Sequence, residues 1–119
     1  MERKFRSMEN DIQIWLEDIR RSIDEIEAFL PERRDFFEFK KDIKTRKAIE
    51  RNIEIIGEAV NRILNVLPNI KITSARKIVD TRNRIIHGYD TVSEDIIWTI
   101  VSNDLKTLKK EIVKLLEGK

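Results

Sequence analysis

The chain has 119 residues, enough for one domain with a single core and too few for a second folding unit beside it, so a cofactor-heavy enzyme is not expected. With no cysteine and one histidine, a disulfide framework, a thiolate metal site and a histidine cage for a metal within one chain are excluded, and any catalysis must run on oxygen, amide and guanidinium groups plus His87. The net charge of +2 excludes binding to nucleic acid through an overall polycationic field, and no apolar run reaches the length of a signal peptide or membrane span, so the expectation is a soluble cytoplasmic protein with no membrane partner.

In chain order, apolar residues at Ile12, Leu16, Ile19, Ile23, Ile26 and Leu30 step by threes and fours and predict an amphipathic helix from about residue 10 to 30. Asn10 and Gln13 resemble a capping pair at its start, and Pro31 disfavours helical geometry at its end. In the connecting stretch, Phe36, Phe37 and Phe39 are expected to form a helical turn or two that lids one end of the core. The same stepping at Ile49, Ile53, Ile56, Val60, Ile63 and Leu67 predicts a second long helix from about Thr45 to Leu67, broken by Pro68. Gly57 in its middle costs about 1 kcal/mol relative to alanine, which suggests that another backbone or a partner comes close there.

A third helix is expected from about Thr73 to Ile86, carrying Ala75, Ile78, Val79, Ile85 and Ile86, with Gly88 offering a glycine C-cap. The last, from about Ser93 to Leu116, uses Ile97, Val101, Leu108, Ile112 and Leu115, with Thr91 and Glu94 as a capping box. No segment alternates like a strand. The expected fold is therefore all-α, an antiparallel four-helix bundle with a short extra helix, in one domain over residues 1–119.

Charge is unevenly distributed. Between residues 71 and 89 the chain carries Lys71, Arg76, Lys77, Arg82 and Arg84 against Asp80 alone, which makes this segment the place to look for a phosphate, or else a solvated helix face. Arg82 follows Ile78 by four and precedes Ile85 by three, so its guanidinium lies on or beside the apolar stripe, where it needs a partner. That partner is either a glutamate of the second helix, such as Glu54 or Glu58, or a phosphate held by the forked donors. Asn83 and His87, four apart, share a helix face and can hydrogen-bond. Arg82 and His87 are five apart, roughly 140° around an ideal helix, so they converge on one small ligand only if the helix ends near His87 or a second chain completes the site.

The segment RNRIIHGY, with WLEDI and IEIIGEAVNRIL upstream and DIIWTIVSNDL downstream, resembles the HEPN superfamily and, through Tyr89 two places after the histidine, its HepT-like branch. The likeness spans nearly the whole chain. It implies a metal-independent endoribonuclease toxin without cofactors, acting on RNA as a homodimer with the two Arg-to-His segments facing one another. Arg82, Asn83 and His87 match the catalytic positions. Arg76, Lys77 and Arg84 are the expected RNA-binding residues. Tyr89 is the implied site at which a cognate nucleotidyltransferase antitoxin attaches AMP. A catalytically inert helical module that binds nucleotide or docks a nucleotidyltransferase is the alternative. Trp15, Trp98 and most of the five phenylalanines fall at plausible core positions, so no base-stacking platform is expected.

Overall fold

The computed structural model describes residues 2–30, 35–87 and 94–118. Among these, every regular element is helical: α1 (Glu2–Phe29), α2 (Phe36–Lys41), α3 (Ile43–Val66), α4 (Ala75–His87), α5 (Glu94–Thr99), a π-helical turn at Ile100–Asp104, and α6 (Leu105–Glu117). With α5, the π turn and α6 forming one continuous rod, four long helical bodies make a bundle and α2 is the small extra helix. α3 is central, packing on α1 along one side and α4 along the other, and α6 packs on α1.

The apolar stripes form the core. Ile19, Ile23 and Ile26 of α1, Ile49, Ile53, Ile56, Val60 and Ile63 of α3, Ile78 of α4, and Leu108 and Ile112 of α6 are buried almost completely. Each such side chain contributes about 1.5–3 kcal/mol by leaving water. Two stripes lose their ends: Leu67 and Ile86 remain 41% and 45% exposed because each lies at a helix terminus beyond the neighbouring helix's cover. The α1 start also differs from expectation. The helix runs through Asn10 from Glu2, so Asn10 and Gln13 do not cap it; residues 2–9 are mostly charged or polar, yet Glu, Arg, Lys and Met are good helix formers.

At the other boundaries, side chains account for the turns. Asp35 caps α2 by accepting hydrogen bonds from the Phe37 and Glu38 backbone N–H groups at 2.8 and 3.3 Å. Asp42 caps α3 by accepting from the Thr45 N–H at 3.1 Å and from its hydroxyl at 2.6 Å, and these bonds hold the Asp42 carboxyl below the usual carboxylate range. Of the three phenylalanines, Phe39 is buried against Trp98 with ring centroids 5.1 Å apart, Phe36 is half-buried against the same indole, and Phe37 points outward. The lid is therefore built by two of them. Gly88, Thr91 and Pro31, to which boundary roles were assigned, lie outside the described residues.

Long-range polar contacts tie the start of α4 to the last rod. Lys77 Nζ of α4 meets Asp104 Oδ2 of the π turn at 2.8 Å, and Thr73, just before α4, donates from its N–H and hydroxyl to Glu111 of α6. Going forward from Thr73 to Lys77 thus means going back along the rod from Glu111 to Asp104. Lys109 bridges to Asp24 and Glu27 on α1, and those carboxylates raise its pKa. Arg46, at the start of α3, donates to the Lys40 carbonyl at 3.1 Å and to Glu94 at 2.7 Å, tying α2, α3 and the first residue of α5 together.

The π turn has a sequence cause. The buried positions Ile97, Val101 and Leu105 are separated by two consecutive steps of four, which in an α-helix would drift about 80° around the axis. Widening one turn to the π geometry takes up that drift. The stripe continues into Leu108 and Ile112 without leaving the core.

Candidate active site

Arg82 is positioned by the contact of α3 with α4. A Cβ added at Gly57 would lie 2.3 Å from Arg82 Cβ, 2.8 Å from its Cγ and 3.2 Å from the Ile78 carbonyl oxygen. Only glycine lets α4 come this near, which is the close approach its mid-helix position suggested. The arginine side chain, 21% exposed, then runs along α3, where Nη2 donates to Glu58 Oε2 in an ion pair and Nη1 donates to Asn83 Oδ1 at 2.8 Å. Of the two glutamates that could have neutralised it, Glu58 is the one engaged. Glu58 also accepts through Oε1 from Arg62 Nε at 3.0 Å, making an Arg62–Glu58–Arg82 triad with net charge +1.

The other expected site residues are spread around α4. His87 is the last residue of the helix and is exposed, as are Arg76 and Arg84, whereas Asn83 is intermediate and turns its carbonyl oxygen to Arg82. Helical register therefore separates Arg82, leaning on α3, from His87, on the outer face. Around the axis the two stand roughly 140° apart, and α4 ends at His87 itself. Lys77 is exposed but engaged by Asp104, so the basic character of the segment is lower than its composition suggests; Lys71, Arg76 and Arg84 are exposed too. Tyr89 lies outside the described residues. Among the described residues, no three or more His, Cys, Asp or Glu side chains are grouped to hold a metal ion, and no helix is long and apolar enough to cross a membrane.

Beside Arg82 a cleft of about 300 Å³ opens between α1, α3 and α4, walled by Trp15 and Ile86, by Arg51, Arg62 and Arg82, and by the carboxylates of Asp18, Glu54 and Glu58. Trp15 is half-buried on the core, and its position on this wall departs from the expectation that the tryptophans serve packing alone. The available signal was its place about 60° off the centre of the α1 stripe and so at its margin. Arg62 was also missed, being one charged residue among many on α3.

The profile of the Ribonuclease HepT-like family matches residues 19–115, which include all of α3 and α4 and most of the last rod. The chain belongs to the HepT-like family. Within it, the chain is 35% identical over 116 residues to a candidate RNase of Methanocaldococcus jannaschii, covering 91% of this chain and 92% of that one. It is 36% identical over 102 residues to a probable ribonuclease HepT of Thermococcus cleftensis, covering 85% and 92%. A candidate RNase of Caldanaerobacter subterraneus is 31% identical over 84 residues, covering 69% and 74%. No solved structure matches the chain. Membership of this HepT-like group supports a ribonuclease-type activity at the level of the family.

Proposed function

We propose that this protein is a metal-independent endoribonuclease that works as a homodimer, with Arg82, Asn83 and His87 as its catalytic residues. The observation that carries the proposal is the placement of this trio in a chain of the HepT-like family: Arg82 held by Glu58 and Asn83, and His87 exposed at the end of the same helix. In the reaction, a ribose 2′-hydroxyl loses its proton to a base and attacks the adjacent phosphorus. The 5′-oxygen of the next nucleotide leaves with a proton from an acid, giving a cyclic phosphate end and a free 5′-hydroxyl. Arg82 stabilises the charge that grows on the phosphoryl oxygens. One histidine cannot hold and give up a proton on both sides of the phosphorus at once, and a second copy of the chain supplies the other. The roughly 140° between Arg82 and His87 argues the same way, since two chains meeting at α4 bring one chain's histidine to the other's arginine. Ile86, 45% exposed beside His87, gives such a contact an apolar component.

Arg76, Lys77 and Arg84 are proposed to draw the RNA backbone to the outer face of α4, with Lys77 doing so only when it leaves Asp104. Tyr89, two residues after His87, is the proposed site of AMP attachment by a partner nucleotidyltransferase, making the pair a toxin and its antitoxin. Adding an adenylate there places a phosphate and a nucleoside next to the reacting groups and excludes substrate. Tyr89→Phe should keep cleavage and escape silencing; a variant still silenced by the partner would refute that role.

A second reading, an inert helical module that docks a nucleotidyltransferase, is favoured by the pairing of Arg82 with Glu58, which already occupies a donor of the guanidinium. The two separate in one assay: labelled total RNA in excess EDTA, with wild type beside Arg82→Ala and His87→Ala, each checked for oligomeric state. Cleavage by a dimeric wild type that both folded variants lose supports the nuclease. Intact RNA after incubation with well-folded wild type supports the module.

A further inference from the structure

We propose, resting on the ribonuclease reading, that the cleft beside Arg82 is a subsite for one unpaired nucleotide of the RNA, with its phosphate bridging Arg62 and Arg82 in place of Glu58 and its base against Trp15. The Glu58 carboxylate has one oxygen on each guanidinium, Oε1 on Arg62 and Oε2 on Arg82. That is the arrangement a phosphodiester adopts with its two non-bridging oxygens, which share one negative charge, so Glu58 marks and fills the place of a bridging oxyanion. Glu58 is 37% exposed and Arg62 56%, so the carboxylate can swing into water while the two guanidiniums receive the phosphate; Arg51 offsets one of the two carboxylates left on the wall, Asp18 and Glu54. The same carboxylate keeps Arg82 oriented when no RNA is bound.

The size and the far wall decide what else enters. A space of about 300 Å³ is at the lower end of small-molecule sites and suits one nucleotide rather than a duplex. Trp15 on α1 offers an indole that already rests on the core, so stacking a base on it orders little further. A base inside a helix cannot reach it. The subsite therefore selects single-stranded or looped RNA, without reading a particular sequence.

The test uses Trp98→Phe, in which Trp15 is the sole tryptophan, titrated with adenosine 5′-monophosphate while its fluorescence is followed. Saturable quenching is expected. Inorganic phosphate alone should leave the emission unchanged yet compete with the nucleotide. Arg62→Ala should weaken nucleotide binding about tenfold, and Glu58→Gln should strengthen it severalfold. A single-stranded oligonucleotide of 2′-O-methyl riboses should displace the nucleotide, and the same sequence as a duplex should not. Calorimetry on the protein with both tryptophans, beside Trp15→Leu, measures the same affinities should Trp98→Phe not fold.

Absence of saturable binding by either method overturns the subsite, as does binding indifferent to Arg62→Ala or an oligonucleotide that fails to displace the nucleotide. Cleavage is scored separately. RNA cut by a protein that does not bind the nucleotide refutes the subsite and leaves the ribonuclease reading, whereas nucleotide and oligonucleotide bound with no RNA cut refutes the ribonuclease and leaves the subsite.

Discussion

Replacing Gly57 by alanine sets two effects of opposite sign against each other. In an exposed helix the change would stabilise by about 1 kcal/mol. Here the new methyl would sit 2.3 Å from Arg82 Cβ, which is roughly 1.2–1.7 Å short of an ordinary carbon–carbon contact. The atom it meets is fixed to the α4 backbone, and the Ile78 carbonyl behind it is backbone too, so no rotamer change relieves the overlap and α4 itself must move. Overpacking of this kind costs about 1–3 kcal/mol or more, and with a backbone atom in the way the upper end applies, so the net effect is expected to be destabilising by about 2 kcal/mol, or several degrees in melting temperature. Arg82 is displaced with α4, and a shift of about 1 Å at a reacting group can cost on the order of a hundredfold in rate. Thermal unfolding followed by circular dichroism, together with RNA cleavage below the transition, measures both. A Gly57→Ala protein more stable than wild type would show that the helices are not held this close and would refute the reasoning.

Three further outcomes follow from the packing. Phe39→Ala, which removes a buried ring from the Trp98 contact, should cost about 3–5 kcal/mol and shift Trp98 emission to the red, read by denaturant titration with fluorescence. Because its hydrogen bonds to Thr45 lower the Asp42 pKa in the folded chain, its contribution is present above the ordinary value of 3.8 and is lost as pH falls through the lowered one. Asp42→Asn should therefore flatten the acid limb of a melting temperature against pH curve below about pH 4, and an unchanged limb would contradict this. Arg46→Met removes the tie from α3 to Lys40 and Glu94, so hydrogen exchange should speed up first in α2 and the start of α5 while the middle of α3 keeps its protection; uniform acceleration would show that the tie is not local.

Much of this bundle was legible because a buried helix face repeats. The stripes of α1 and α3 are mostly isoleucine at steps of three and four, and they turned up buried except toward their ends, at Ile12, Leu30 and Leu67. Gly57 was legible as an anomaly, since a glycine in a well-patterned helix asks for a neighbour. What fills that space was not, because nothing local joins residue 57 to residue 82. The same holds for Lys77 with Asp104 and Thr73 with Glu111: each partner is 27 or more residues away and either could have faced water. The start of α1 was misplaced for a different reason. A side chain able to cap a helix does not end one when the residues before it favour helix equally well, and the apolar stripe that located α1 is silent about its polar extension. At the site, spacing alone separated Arg82 from His87 around the helix, but the choice between Glu54 and Glu58, one turn apart on α3, required the actual depth of α4 against it.

The π turn at Ile100–Asp104 makes the last rod unequal in its tolerance of insertions and deletions. A π turn holds one residue more than the α-helical turn it replaces. Deleting one residue there would return the rod to plain α-helix with Lys109, Glu111 and Ile112 still facing the partners they have now. The same deletion in α6 would rotate everything beyond it by about 100° and turn the buried stripe toward water. Relatives that differ in length within this rod should therefore differ at that turn, and a shorter version of it would be the simpler helix from which this one grew by a single residue.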